Sequence, residues 1–98
     1  MYTRTLMRIV PTLDRVLIKP LEEEEKIAGL EIVRDGKNAE MQVGIVEEAG
    51  SKSGFNKEQK VMYNPASGTL VRMLVDGDYQ NYRMMLADTI TAIVYEDI

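Results

Sequence analysis

Residues 68–86, GTLVRMLVDGDYQNYRMML, carry the clearest local structural signal in the chain. Two apolar segments flank Asp76-Gly77, and Asp-Gly is a favoured dipeptide for a two-residue type I′ turn. The stretch therefore predicts a β-hairpin.

Four other segments predict strands on either side of this hairpin. They are DRVLIKP (14–20), MQVGIVEEAG (41–50), QKVMYNP (59–65) and TITAIVYE (89–96). Gly44 predicts a bulge or a sharp bend inside its strand, and Asn64-Pro65 predicts a turn. No segment has an apolar pattern of helical period and length, so short strands separated by glycine and proline favour a small all-β barrel or sandwich.

The length and composition limit the classes of protein that this chain can be. A chain of 98 residues is expected to form a single domain. It contains no cysteine and no histidine, which excludes disulfides and thiolate metal sites and removes the commonest general base. No apolar run approaches the roughly 18 residues of a membrane span, and the first residues do not resemble a signal peptide. We expect a cytoplasmic protein with no membrane partner.

The negative charge is concentrated in one segment. Residues 21–40 contain seven acidic and three basic side chains, a net charge of −4, whereas the other residues carry nine of each sign. A run of like charge favours solvated chain. The balanced remainder has no basic stripe for phosphates, so we predict that nucleic acid is not a partner.

No group of residues indicates catalysis. The four consecutive acids Glu22–Glu25 have no fixed separation, and Asp14-Arg15 is typical of a structural ion pair or a subunit contact. Asp76 and Asp78 offer too few ligands for calcium. We therefore predict no catalytic residue, no metal site and no cofactor, and expect a binding or assembly protein that is not an enzyme.

The order of these segments resembles that of the GroES-type co-chaperonins. The resemblance covers residues 9–98 and rests on PTLDRVLIK (11–19), GLEIV (29–33), the Gly44-Ile45-Val46 strand up to Gly50, YRMM (82–85) and ITAIV (90–94). It implies a small irregular β-barrel with a long mobile loop, assigned to residues 21–40.

Several features depart from the family pattern. Glu58-Gln59-Lys60 replaces a Val-Gly-Asp turn, Ser67 replaces a tyrosine, and only ten residues separate Gly50 from Val61, too few for the family's roof hairpin. Residues 1–8 form an N-terminal extension. A shortened roof and a divergent sequence are features of phage-encoded co-chaperonins, which would act in the cytoplasm of a host.

The resemblance implies a heptameric lid for an ATP-driven, GroEL-type chaperonin, enclosing an unfolded client such as a capsid protein. The lid would dock through its mobile loop at Gly29, Leu30, Glu31, Ile32 and Val33. In an extended strand Leu30 and Ile32 share one face, so both can enter an apolar groove while Glu31 faces water. By composition alone the same patch suits an edge strand of the barrel.

The subunit contacts implied by the family join the two chain ends. They are Ile9, Val10 and Leu13 on one side, with Ile90, Ala92 and Val94 on the other. Two alternatives from other classes remain at this stage. One is a small acidic β-barrel that binds nucleic acid or a protein ligand without a chaperonin, and the other is a small acidic enzyme that would need a strongly shifted carboxylate in a pocket.

Overall fold

The computed structural model describes residues 8–21 and 41–95. Its strands are β1 (Arg15–Pro20), β2 (Gln42–Ala49), β3 (Lys60–Tyr63), β4 (Thr69–Val75), β5 (Asp78–Leu86) and β6 (Ile90–Val94), with short 3₁₀ helices at Pro65–Ser67 and Ala87–Thr89. They form one antiparallel sheet in the order β4-β5-β1-β2-β3-β6. The predicted all-β class is confirmed, and no α-helix occurs in the described ranges. Except for Leu21, the segment assigned to the mobile loop lies outside them.

The hairpin of β4 and β5 forms as predicted. The two strands pair continuously from Thr69 opposite Met84 to Val75 opposite Asp78. Asp76 and Gly77 lie between them with φ angles of 50° and 87°, and positive φ at both central residues defines the type I′ turn. This turn matches the twist of the strands, which is why a two-residue connection suffices.

Replacing Gly77 by alanine is expected to destabilise the fold by roughly 1–2 kcal/mol, because any residue with a Cβ is strained at this φ. The added methyl group itself would meet open space, so crowding contributes nothing. Urea unfolding at fixed subunit concentration measures the change. Gly77→Asn is the matched control and should lose less, because asparagine tolerates the left-handed region. Equal losses for the two variants would contradict this explanation.

β1 lies at the centre of the sheet and is buried on both faces. It pairs with β2 on one side and with β5 on the other, and Val16, Leu17 and Ile18 have no exposed surface. Because side chains alternate along a strand, Leu17 joins a different cluster from its two neighbours. One cluster contains Val16, Ile18, Val46, Val61, Tyr63 and Met85, and the other contains Leu17, Met73 and Tyr82.

The first cluster shows how the sheet closes around a core. Its members come from β1, β2, β3 and β5, and Ile90 and Ile93 of β6 pack against them. No α-helix or second sheet among the described residues covers that face. Side chains from five strands can be buried together only if the sheet curls over its own face, which gives the expected barrel-like form.

The irregularities of the sheet differ in position from the prediction. The register of β1 against β2 shifts where Leu17 is opposite Glu48 and Ile18 opposite Val46, so Glu47 is the extra residue. The predicted bulge at Gly44 is therefore wrong, since Gly44 pairs in register with Pro20. A second bulge at Thr91 follows from the pairing of Tyr63 with Ile90 and of Met62 with Ala92.

The connection between β2 and β3 is short and contains no strand, consistent with a shortened roof. At its start Gly50 lies against the turn that precedes β1. The Gly50 N–H donates to the Arg15 carbonyl at 2.8 Å, and the Lys52 N–H donates to the Leu13 carbonyl at 2.7 Å. Leu13 itself has a positive φ of 54°. Backbone groups thus join the Leu13-Asp14-Arg15 stretch to the end of β2.

Tyr63 is the largest fully buried side chain, and its hydroxyl lies 3.3 Å from the amide oxygen of Gln42, to which it donates. Burial raises the pKa of Tyr63 from 10 to about 12, although the positive charge of Arg83 opposes the shift. The unfolded chain therefore ionises at a lower pH than the folded chain. The stabilisation that depends on neutral Tyr63 is complete below pH 10 and is lost as the pH rises through 12.

We expect the free energy of unfolding to fall by up to about 1.4 kcal/mol per pH unit between pH 10 and 12 because of Tyr63. Tyr63→Phe lacks this ionisation, so its stability should fall less steeply in that interval. Denaturant unfolding at pH 8, 10, 11 and 11.5 measures the difference. Tyr79→Phe, at a side chain that is 65% exposed, is the control and should follow the wild type. Parallel curves for wild type and Tyr63→Phe would contradict the burial argument.

Candidate functional site

The segment predicted to contact a chaperonin connects two neighbouring strands. Gly29, Leu30, Glu31, Ile32 and Val33 lie outside the described residues, but both ends of the segment are defined. Pro20, at the end of β1, is opposite Gly44 of β2, and the Leu21 N–H donates to the Val43 carbonyl at 3.1 Å. The chain therefore leaves and re-enters the sheet at adjacent positions.

The N-terminal residues of the predicted subunit contact lie in three environments. Ile9 is half-buried and packs against the cluster of Leu17, Met73 and Tyr82. Val10 and Leu13 are exposed at 54% and 53%, and neither packs in the two core clusters. Only Val10 and Leu13 therefore offer their apolar surfaces to another molecule.

The C-terminal residues of that contact lie on β6, which is one edge of the sheet. Its only strand neighbour among the described residues is β3, so one side of its backbone is unpaired there. The bulge at Thr91 separates Ile90, which packs on the core, from exposed Ala92 and half-buried Val94. The two predicted halves are not brought together in one chain, because Ile9 packs near β4 and β5, whereas β6 lies beyond β3 at the far end of the strand order.

One charged contact near the N-terminal residues was not predicted. The Arg8 guanidinium donates two hydrogen bonds to the Glu48 carboxylate, one of them from an Nη2 atom 3.1 Å from Oε1. Lys57 Nζ lies 3.7 Å from Oε2 of the same carboxylate. Since Arg8 is 40 positions from Glu48, no local pattern could have paired them.

Glu48 is charged at neutral pH for a clear physical reason. The hydrogen bonds from Arg8 lower the pKa of Glu48, and the positive charges of Arg8 and Lys57 act in the same direction against its partial burial. Because the folded-state pKa is lowered, the ion pair stabilises the fold above the ordinary glutamate pKa and is lost as the pH falls. The contact fixes the chain before Ile9 against β2.

The site offers surfaces for other molecules and no reaction centre in the described ranges. No three acidic side chains there come together as a potential metal site, and no helix in those ranges could cross a membrane. The carboxylate with a shifted pKa, Glu48, is held in its ion pair by Arg8. What the arrangement provides is an unpaired apolar strand edge, two exposed apolar residues near the N-terminus, and a long connection between two anchored ends.

Comparison with known proteins agrees with this arrangement. The sequence matches the family described as the Chaperonin 10 Kd subunit over residues 8–94. It is 37% identical over 75 residues to a co-chaperonin GroES from Treponema pallidum, covering 74% of this chain and 83% of the relative. It is also 29% identical over 97 residues to a co-chaperonin GroES from Elusimicrobium minutum, covering 90% and 96% of the two chains. The chain belongs to the chaperonin 10 family and is a GroES-type co-chaperonin.

Proposed function

We propose that this chain assembles into a heptameric ring that caps a GroEL-type chaperonin and encloses an unfolded client. The observation that carries the proposal is the family match over residues 8–94, which includes the whole segment predicted to dock. The hydrogen bond from Leu21 to Val43 supports it, because it fixes one end of that segment beside the strand at which the other end returns. A connection held in this way can reach a partner without disturbing the barrel.

Docking uses the apolar patch of the 21–40 segment. Leu30 and Ile32 enter an apolar groove of the chaperonin, Glu31 remains in water, Val33 adds a contact on the other face, and Gly29 permits the bend that presents them. A register shifted by one residue would place Glu31 in the groove, at the cost of burying a charge. The four glutamates before the patch keep it solvated when the lid is free.

Binding strength comes from the number of subunits. One short segment that must become ordered on binding gives weak affinity, because ordering entropy opposes the contact. Once one segment is bound, the other six act at a high effective concentration. Such a ring binds tightly as a whole and still dissociates when the chaperonin changes state. The chaperonin hydrolyses the ATP, and the co-chaperonin family is not an enzyme family.

Ring closure uses the two ends of the described fold. The unpaired side of β6, with Ala92 and Val94, meets Val10 and Leu13 of the next subunit. Because the two surfaces differ and lie apart on one chain, the contact is head-to-tail, and head-to-tail contacts form rings when the rotation closes. Closure covers an edge strand that would otherwise promote aggregation.

The shortened β2–β3 connection is relevant to two further parts of the proposal, which are the client that the lid encloses and the cell in which the protein acts. A smaller roof changes the volume and lining of the enclosed space, which suits a large client such as a capsid protein. We propose that the protein acts in the cytoplasm of a host cell that a phage infects. Measuring capsid folding with and without the lid tests the choice of client.

Sedimentation velocity of the purified chain, alone and with a bacterial chaperonin and ADP, tests the lid. We expect a ring of about seven subunits that co-sediments with the chaperonin. Ala92→Glu together with Val94→Glu should yield smaller species, because two charges would be buried at the subunit contact. The matched control is Thr69→Glu with Ser67→Glu, at exposed positions away from β6. A stable monomer that ignores the chaperonin would refute the proposal.

A further inference from the structure

The hairpin of β4 and β5 has one face whose side chains are largely exposed, except for half-buried Arg83. Register and alternation place six side chains on it in three cross-strand pairs, and we call this set the outer hairpin face. The pairs are Leu70 with Arg83, Arg72 with Asn81, and Leu74 with Tyr79. Leu70, Leu74 and Tyr79 are exposed at 50%, 49% and 65%. Three large apolar side chains are thus exposed on one side of the hairpin, as at a surface that contacts a partner.

This face continues the buried face of the barrel. Arg83 is opposite Ile18 of β1 as well as Leu70 of β4, and directly opposed residues point to the same side of a sheet. Ile18 is fully buried in the core cluster that contains Tyr63. The layer of side chains that the sheet encloses over β1 thus runs out onto the hairpin, where Leu70, Leu74 and Tyr79 are exposed.

A groove of about 420 Å³ lies where the buried face of the barrel meets the outer hairpin face. Lys19, Pro20, Gln42, Leu70, Tyr79 and Arg83 are among its lining residues. The volume is sufficient for several side chains of an extended peptide. Pro20 and Gln42 are also the strand ends next to the 21–40 segment, so the groove lies at the point where that segment leaves and re-enters the barrel.

The charge of this region is opposite to that of the chain. The whole sequence has a net charge of −4, yet the outer hairpin face carries Arg72 and Arg83 and no acidic residue. Lys19 lines the groove at the end of β1. Arg72 lies over the Tyr79 ring at 5.2 Å, and neither Lys19 nor Arg83 forms an ion pair with any described residue. Carboxylates on a partner would find these cations available.

The backbone of β4 provides a further binding element. β4 ends the sheet, and its outer edge has no strand partner within residues 8–21 and 41–95. An extended peptide can add to such an edge through main-chain hydrogen bonds while its alternate side chains contact one face. Apolar side chains would then contact Leu70 and Leu74, and acidic ones would reach Arg72 and Arg83.

We infer that the outer hairpin face and its groove form a second contact for the chaperonin, which presents there an extended segment of apolar and acidic residues. The inference rests on the proposed docking by residues 29–33, because a partner bound there is tethered within about 30 Å of the groove. The effective concentration is then high, so even a weak second contact adds to affinity. Its electrostatic part makes binding sensitive to salt.

Co-sedimentation with the chaperonin and ADP tests this inference with charge-reversed chains. Arg72→Glu with Arg83→Glu should weaken binding at least about tenfold, because like charges would meet at the contact. Lys52→Glu with Lys57→Glu is the matched control, reversing two exposed cations on the β2–β3 connection, and should bind like the wild type. Arg72→Glu alone should show a smaller loss and guards against misfolding of the double variant. Thermal unfolding checks that all three chains fold.

A peptide probe identifies the chemistry that the face recognises. Fluorescence anisotropy with TLTETLTET, whose Leu and Glu side chains alternate along one face of an extended strand, should show saturable binding to the full chain. The basic analogue TLTKTLTKT should not bind, and the double reversal should abolish binding of the acidic peptide. Equal binding of both peptides, or of the acidic peptide to the double variant, would overturn the inference. So would acidic-peptide binding seen only after Glu22–Glu25 are changed to glutamine, since the chain's own acids would then occupy the face.

The outcomes separate the two proposals. If the wild type fails to bind the chaperonin at all, the proposed function fails and the chaperonin as source of the peptide fails with it. If the wild type binds and the double reversal binds equally well, only the second contact is overturned. A loss confined to the double reversal, together with selective binding of TLTETLTET, supports it.

Discussion

A chain carrying Leu30→Asp and Ile32→Asp is expected to assemble like the wild type and to lose binding to the chaperonin by at least about a hundredfold. Each substitution would place a carboxylate in an apolar groove, where desolvation opposes the charged form. The loss is repeated in every subunit of the ring, so the effect on the whole assembly is larger than that on one segment. Sedimentation velocity of the variant with chaperonin and ADP measures both the assembly and the binding.

The matched control for this variant is Asn38→Asp with Ala39→Asp. It adds the same two negative charges to the same segment but spares the apolar patch. If binding depends on apolar contact, the control retains most of its affinity. Equal loss in both chains would mean that added charge anywhere in residues 21–40 repels the chaperonin, and the assignment of Leu30 and Ile32 would be wrong.

Gly50→Ala is expected to destabilise the fold by roughly 3 kcal/mol, a large fraction of the stability of a small domain. A Cβ at this position would press on the carbonyl oxygen of Leu13, lie 2.9 Å from its carbonyl carbon, and lie 3.0 Å from the Arg15 oxygen. These are backbone atoms held by their own hydrogen bonds, so relief requires the turn before β1 to move. Urea unfolding at fixed subunit concentration measures the change.

Ser51→Ala is the control for Gly50→Ala. Ser51 is the next residue and is exposed, so its substitution should change stability by less than about 0.5 kcal/mol. A Gly50→Ala chain as stable as this control would show that the Leu13-Asp14-Arg15 turn can move at little cost. The same experiment tests whether the turn in the motif at residues 11–19 requires a glycine at position 50, directly after β2.

The strands were predictable because their signals are local. Alternation and β-branched side chains located β1 within one residue of its observed start, and Asp76-Gly77 specified the turn whose two positive φ angles the structure confirms. The turn at Asn64-Pro65 appears as the start of a 3₁₀ helix, with the Asn64 side chain accepting from the Ala66 N–H at 3.0 Å. Each of these features depends on a few adjacent residues.

Features that depend on distant residues were not predictable. Nothing near Arg8 indicates its ion pair with Glu48, and nothing near Glu47 indicates that the extra residue of β2 falls there and not at Gly44. Ile9 was assigned to the subunit contact from the family pattern, but the structure also packs it against Leu17 and Tyr82 of its own chain. Separating these roles requires knowledge of which strands become neighbours.

The central position of β1 has a consequence for how the chain folds during synthesis. Ile18 pairs with Arg83, 65 positions later, so one side of β1 cannot be completed until β5 has been made. At about 5–20 residues per second, that interval lasts roughly 3–13 s. Throughout it, Val16, Leu17 and Ile18 lack β5 and can pack only with strands already made, which are β2, then β3 and finally β4. The barrel is therefore completed only near the end of translation, and in the meantime a nascent chain exposes side chains that the folded chain buries completely.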